Sequence, residues 1–171
     1  MESERLISAC KDELQLVLSF FSRVDSRSSV VLAIDTGMAG FLLSIAPPIR
    51  SFSIWMGITS SATIILLGVS ILFLYFGSAP NLKGGEGSLV YFGEIAKLRE
   101  HKFVEDFKAQ SETDYANDLL AQAWRNAKIL GIKFHCLKWA FRFMAFAIMP
   151  WLVCLALFAS SSGTHTTLLK L

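Results

Sequence analysis

The residues that could support metal or nucleophilic chemistry are few and widely separated. His101, His135 and His165 lie far apart, and the chain has no Cys-x-x-Cys or His-Glu-x-x-His pattern. His135 and Cys136 are adjacent, and adjacent side chains on a helix point about 100° apart, which suits chelation poorly. No Gly-x-Ser-x-Gly pattern marks a nucleophile. The sequence therefore predicts no catalytic residue, no metal site and no cofactor, in a protein that is not an enzyme.

The polar middle of the chain, residues 80–138, holds the other groups that could bind a ligand. Its Lys83–Gly87 stretch is rich in glycine but lacks the Lys-Ser/Thr pair of a phosphate-binding P-loop. A flexible linker is predicted there instead. The carboxylates that follow alternate with basic residues, as on a solvated helical face. We predict a soluble helical segment.

Asp35 is the exception to this scarcity of chemical groups, because it lies inside an apolar block. An ionised carboxylate is costly in a membrane span and usually faces a bundle interior or a water-filled path. One interpretation makes Asp35 a gating or pore residue, or a contact between subunits. The other makes it a packing residue, protonated or hydrogen-bonded to a neighbouring hydroxyl such as that of Thr59 or Thr63. The sequence leaves both interpretations open.

Asp35 belongs to the first of three apolar blocks, and these blocks predict the fold. They run from Ser28 to Ile49, from Phe52 to Pro80 and from Trp139 to Ala159. Each approaches or exceeds the roughly 20 residues that a helix needs to cross a bilayer. The prediction is an all-α integral membrane protein with three transmembrane helices. Residues 28–79 form a hairpin that turns after Pro47-Pro48, and residues 139–160 form the third helix.

The amino-terminal residues 1–27 are predicted to form an amphipathic helix. Such a helix can lie on the bilayer, pack on a partner helix, or do both. Docking on the soluble segment of its own chain is the other interpretation, and the sequence does not decide between it and membrane-surface binding. Its apolar face comprises Leu6, Ile7, Cys10, Leu14, Val17, Leu18 and Phe21.

A long helix is predicted to enter the third span. Ser111 and Asp114 have the spacing of a capping box, which opens a helix. No proline follows until Pro150, so one helix is expected to continue into the third apolar block. Residues 161–171 are left as a short tail.

The basic residues predict the orientation in the membrane. They precede the first span or lie between the second span and the first turn of the third, where Arg142 stands, whereas the opposite side has only Arg50 and Lys170. By the positive-inside rule, the amino terminus and residues 80–138 are cytoplasmic, and the carboxyl-terminal tail is outside.

Two short motifs resemble those of a known family. Arg23–Ser29, just before the first span, is similar to the Arg-x-Asp-x-Lys-Ala stretch of the transmembrane effectors of the bacterial pyrimidine cyclase antiphage system (Pycsar). Tyr91–Ala96 resembles the Phe-Gly-x-Ile-Ala motif of the same family, and the order of the elements agrees. At Asp35 the family more usually has a neutral asparagine.

The resemblance implies an antiphage effector of the bacterial inner membrane. Such effectors respond to cyclic UMP or cyclic CMP by membrane disruption and abortive infection. A three-span chain is too thin to enclose an ion path, so a homo-oligomer is expected, and no nucleic acid polymer is expected as a partner. Two alternatives stay open: a membrane scaffold that recruits a cytoplasmic partner, and an effector gated by a different cyclic nucleotide.

The resemblance also suggests where ligand and membrane contacts lie. A cyclic mononucleotide carries one negative charge and a flat base, so its site needs a basic group with aromatic partners. The candidates are Tyr91, Phe92, Lys97, Arg99 and Lys102. The alternative is that these basic residues hold lipid head groups or set the topology. At the membrane interface, Asp25 is expected to pair with Arg23 and Arg27.

Overall fold

The computed structural model describes residues 2–79 and 85–168. Within these ranges the chain forms five α-helices, one 3-10 turn at Ile49–Ser51, and no strand. The helices are α1 (Glu2–Ser44), α2 (Ile54–Ser78), α3 (Phe92–Ile95), α4 (Glu100–Ala109) and α5 (Glu112–Leu168). The all-α class predicted from the sequence is confirmed. Residues 80–84, which include Lys83 and Gly84 of the predicted linker, and residues 169–171 of the predicted tail lie outside the described residues.

Helices α1 and α5 are longer than the other elements. α1 contains both the predicted amphipathic helix and the first apolar block, and it ends before Pro47-Pro48. At the start of α5, the Asp114 N–H donates to Ser111 Oγ at 3.1 Å, and the Ser111 hydroxyl donates to the Asp114 carboxylate at 2.6 Å. The predicted helix start at Ser111 and the single long helix are therefore confirmed. The Asp114 carboxylate accepts from the Ser111 hydroxyl and not from the Ser111 backbone N–H in the contacts described.

A stripe of buried and half-buried residues along α1, and another along α5, recurs at alternating spacings of three and four residues. This is the spacing of helices that pack against each other with a left-handed supercoil. In α1 they are Ile7, Cys10, Leu14, Val17, Phe21, Val24, Ser28, Val31, Asp35, Met38 and Leu42. In α5 they are Ala116, Leu119, Ala123, Asn126, Leu130, Lys133, Leu137, Ala140, Met144, Ala147, Trp151, Cys154 and Phe158.

The chain divides into two compact units, and unit 1 comprises residues up to Asp25 together with residues 79–134. Its core contains Cys10 from α1 packed with Ala116 and Leu119 from α5. The amino-terminal helix therefore docks on the polar segment of its own chain, as one of the two interpretations of the sequence expects. Leu6 and Leu18, which belong to the predicted apolar face, are exposed and lie outside this packed surface.

Unit 2 comprises residues 26–78 and the residues from His135 onwards. Its helices pack through apolar layers, and small residues allow a close approach. One layer contains Met38, Leu67 and Ala147, and another contains Leu42, Met56, Cys154 and Phe158.

Two of the described helices are long and apolar enough to cross a membrane. They are α2 and the part of α5 that ends at Ser161. In each, only 22% of the most apolar window is buried within the chain, so most of this apolar surface faces outward. That exposure is unlike the core helix of a soluble protein and indicates membrane association. The apolar half of α1, which contains Asp35, is not one of these two helices.

Candidate functional site

Asp35 lies at the centre of a polar contact between three helices of unit 2. Its side chain is fully buried, as are Ser70 on α2 and Ala140 on α5. Ser70 Oγ lies 2.6 Å from Asp35 Oδ2 and 2.9 Å from the Ala140 carbonyl oxygen. A single hydroxyl therefore joins α1, α2 and α5.

The neighbour that contacts Asp35 differs from the ones that the sequence suggested. Thr63 is fully buried, but its hydroxyl donates to the Thr59 carbonyl of its own helix at 2.8 Å. Ser70 occupies a buried position of α2 and faces the interior, where the missing side-chain bulk of Ala140 lets it reach the α5 backbone. Asp35 is thus a buried, hydrogen-bonded residue, and the contact itself leaves a gating role open.

One oxygen of Asp35 is not paired. Asp35 Oδ1 is buried and has no hydrogen-bond partner within the described part of the chain. A buried polar atom without a partner costs free energy, and far more if it carries charge. Such an atom marks a place where the bundle is not at its most stable.

The aromatic pair predicted for ligand binding lies at the start of α3. The ring centroids of Tyr91 and Phe92 are 4.9 Å apart; Tyr91 is buried, whereas 66% of Phe92 is exposed. The Tyr91 ring lies over Gly93, where a Cβ atom would come within 2.6 Å of Tyr91 Cε1. Glycine at this position is therefore a steric requirement of the buried tyrosine.

Two of the three predicted basic residues, Lys97 and Lys102, form ion pairs with carboxylates. Lys97 Nζ lies 2.5 Å from Glu94 Oε1, and this hydrogen bond raises the pKa of Lys97 and lowers that of Glu94. Lys102 Nζ lies 2.7 Å from Asp106 Oδ1, which raises the pKa of Lys102. The Arg99 backbone caps α4, and its exposed guanidinium group has no partner within the described residues.

A carboxylate that sequence reasoning treated as solvated holds the loop before this aromatic pair. Asp118 on α5 accepts hydrogen bonds from the Ser88 hydroxyl at 2.6 Å and from the backbone N–H groups of Leu89 and Val90 at 2.9 and 3.2 Å. Arg125 Nη2 lies 3.8 Å from the same carboxylate. No local pattern distinguishes Asp118 from its exposed neighbours, because its partners lie about thirty residues earlier in the chain.

The predicted interface residues are Arg23, Asp25 and Arg27, and the structure gives Asp25 a partner on another helix. Asp25 forms an ion pair with Lys133 of α5, with 2.7 Å between Oδ1 and Nζ. The Arg23 guanidinium lies over the Phe20 ring at 5.1 Å, and Arg27 is exposed. Lys133 was not among the predicted partners of Asp25, and it ties α1 to α5 within unit 1.

An open hollow on α4 has lining residues that argue against an anionic ligand. It is lined by Glu100, His101, Val104, Glu105 and Lys108. Its carboxylates outnumber its lysine, so a phosphate there would meet more repulsion than attraction.

Residues 9–160 match the family PycTM, described as a Pycsar effector protein domain. The matched stretch includes Arg23–Ser29, Asp35 and Tyr91–Ala96. No curated protein and no solved structure matches the chain.

Proposed function

Because the chain belongs to the PycTM family of Pycsar antiphage effectors, we propose that it disrupts the bacterial inner membrane when it senses a cyclic pyrimidine mononucleotide, cyclic UMP or cyclic CMP. The observation that carries the proposal is the buried contact of Asp35, Ser70 and Ala140. A carboxyl group is enclosed there in a bundle whose outer surface is apolar. PycTM is not a known catalytic family, and no reaction is proposed.

The apolar half of α1 supplies the third membrane span in this proposal. Its position 35 faces inward, so the carboxyl group is hidden from lipid. The outward positions carry apolar side chains, among them Val30, Leu32 and Leu43, which are 57%, 42% and 71% exposed. A helix with a polar residue on its inner side and apolar residues on its outer side suits a membrane bundle, where polar residues face the interior.

The distribution of basic residues supports the proposed orientation. Within the described residues, Arg50 is the basic side chain on the side of the hairpin turn, whereas the rest flank or lie within unit 1. The amino terminus and unit 1 are then cytoplasmic, where a cyclic nucleotide would be made, and the carboxyl terminus is outside.

The proposed nucleotide site consists of Tyr91, Phe92, Lys97, Arg99 and Lys102. The exposed Phe92 ring can stack on a base, and Arg99 can bind the single phosphate charge. Lys97 and Lys102 would have to leave their carboxylate partners, so their contribution is expected to be smaller. The same chemistry would hold a lipid head group, and binding measurements separate the two ligands.

Several copies of the chain are needed for leakage. Side chains fill the interior of unit 2, whose buried residues pack in layers. Gly37, Gly40, Gly57 and Gly68 face open space, since a Cβ atom at any of them would meet nothing within 4 Å. Outward-facing glycines let membrane helices of neighbouring copies approach closely. The nucleotide would favour one arrangement of the assembled copies over another.

A specific observation also favours the scaffold alternative. Trp124 and Leu120 lie one helical turn apart on α5 in unit 1, and they are 60% and 44% exposed. An exposed apolar pair on a polar unit fits a docking surface for a cytoplasmic partner. A scaffold would bind its partner without any conductance.

The test is dye leakage from liposomes that contain the purified full chain, with cyclic UMP, cyclic CMP, cyclic AMP and cyclic GMP added separately. Leakage with one pyrimidine nucleotide alone is the expected result. Leakage with a purine nucleotide would move the assignment to an effector gated by a different ligand. No leakage with any nucleotide, from protein shown to be inserted, would contradict the proposal and favour the scaffold.

A further inference from the structure

Asp35, Ser70 and Ala140 are joined by two oxygen–oxygen contacts of hydrogen-bond length, and each needs a proton between the two oxygens. An ionised Asp35 would leave only the hydroxyl proton of Ser70 for both contacts. Ser70 Oγ lies within hydrogen-bond distance of two oxygens, at 2.6 and 2.9 Å. A serine hydroxyl has one proton, whereas a carbonyl oxygen and a carboxylate only accept. Two hydrogen bonds among these oxygens therefore need a second proton, and only the Asp35 carboxyl group can carry it.

We infer that Asp35 is a proton-binding site inside the bundle. The Asp35 Oδ2–H donates to Ser70 Oγ, and the Ser70 hydroxyl in turn donates to the Ala140 carbonyl. These two consecutive hydrogen bonds join α1, α2 and α5, and no charged group lies at the contact.

An ionised Asp35 would make the same geometry unfavourable. The Ser70 proton would then point at the carboxylate, because hydrogen bonds to charged acceptors are stronger. The Ala140 carbonyl oxygen would face the lone pairs of Ser70 Oγ at 2.9 Å, which is a repulsive contact.

The unpaired oxygen of Asp35 supports the same state. Asp35 Oδ1 is buried with no partner, and no ion pair within the described ranges includes Asp35. In a neutral carboxyl group Oδ1 is a carbonyl oxygen, whose loss of water costs far less than that of an unpaired anion. Burying the unpaired Oδ1 therefore costs less free energy when Oδ2 carries a proton than when Asp35 is ionised.

The test is isotope-edited infrared spectroscopy of the full chain in liposomes without nucleotide, because a protonated carboxyl group and a carboxylate absorb in separate bands. We expect a protonated-acid band that shifts when aspartate is labelled with carbon-13 and that is missing in Asp35→Asn. Asp25→Asn is the matched control on the same helix, where the side chain is exposed and ion-paired, and it should keep the band.

Ser70→Ala gives a second measurement that does not depend on how well Asp35→Asn folds. Without the Ser70 acceptor, the acid band should move to higher frequency and remain sensitive to labelled aspartate. Absence of an acid band in the wild type, or a band that neither substitution changes, would overturn the inference. Because the protein is measured at rest, the result is independent of whether a nucleotide triggers leakage.

Discussion

The ring of the buried Tyr91 lies over Gly93, so close that a Cβ atom there would come within 2.6 Å of Tyr91 Cε1. Gly93→Ala should therefore force the ring out of its packed position. Overpacking of this kind costs about 1–3 kcal/mol. We expect that loss in the unfolding free energy of the chain in detergent.

The matched control is Gly131→Ala on α5, where an added Cβ would meet nothing within 4 Å. Replacing this helical glycine should raise stability by about 0.5–1 kcal/mol. Equal effects of the two substitutions would show that the Tyr91 contact is not what requires glycine at position 93.

Asp118 should determine the order of the loop that precedes Tyr91. Asp118→Ala removes the acceptor of three hydrogen bonds, from Ser88, Leu89 and Val90. Each hydrogen bond to a charged group contributes about 1.5–3 kcal/mol, and such contributions are not additive. Hydrogen exchange of the Leu89 and Val90 amides should become faster by at least tenfold.

Asp114→Asn serves as the control for Asp118, since it changes an exposed carboxylate near the start of the same helix. It should leave exchange in the 88–91 loop unchanged. Fast exchange of this loop in the wild type as well would mean that Asp118 does not hold it.

The sequence predicted the helices well because helix signals are local. The apolar blocks, the Ser111 capping box and the Pro47-Pro48 break lie within a few residues of what they determine. The spacing of three and four residues along α1 is also present in the sequence. A broad apolar face that includes Leu6 and Leu18 does not show this spacing, because these two residues lie outside the packed stripe. The narrower stripe through Cys10 and Leu14 consists of α1 residues that the structure buries or half buries.

The contacts between distant segments were not predictable in the same way. Asp35 was singled out, yet Ser70 could not be chosen over Thr59 or Thr63 without the relative rotation of α1 and α2. For the same reason Lys133 was missed as the partner of Asp25. These pairs depend on which helix faces meet, and that is set by packing across the whole unit.

Ala140 should be sensitive to size because Ser70 reaches its backbone carbonyl through the space beside its methyl group. Ala140→Leu places a larger side chain at a fully buried position, and overpacking there should cost about 1–3 kcal/mol. Thermal unfolding in detergent measures the loss. Ala145→Leu changes an exposed position of the same helix and should cost nothing measurable; a similar loss in both variants would argue against the close approach at Ala140.

Arg99 should contribute more to nucleotide binding than Lys97 does. Its guanidinium group has no partner within the described residues, whereas Lys97 is already paired with Glu94. Loss of a charge-assisted hydrogen bond to phosphate costs about 1.5–3 kcal/mol, which is on the order of tenfold to a hundredfold in Kd. Calorimetric titration of Arg99→Gln with cyclic UMP and cyclic CMP checks this. Lys108→Gln, an exposed change on α4, is the control, and an unchanged Kd in Arg99→Gln would remove Arg99 from the site.

Asp35 should be required for leakage but not for folding. We expect that on opening water reaches the Asp35 side chain, the carboxyl proton passes to that water, and the resulting carboxylate lines the ion path. Asp35→Ala removes this group, so nucleotide-triggered leakage should fall to the level of empty liposomes while the helix content by circular dichroism stays unchanged. Full toxicity of Asp35→Ala in cells would exclude Asp35 from the mechanism.

The charge that Asp35 acquires on opening should also set the ion preference. Rings of carboxylates select cations in membrane pores, so the wild-type leak should pass potassium in preference to chloride. Asp35→Asn can still donate a hydrogen bond to Ser70 through its amide, so its resting bundle should stay closed. Its open state cannot become negative, and the preference for potassium should be lost. Separate potassium and chloride flux assays decide the point, and a preference that survives in Asp35→Asn would place the selecting charge elsewhere in the chain.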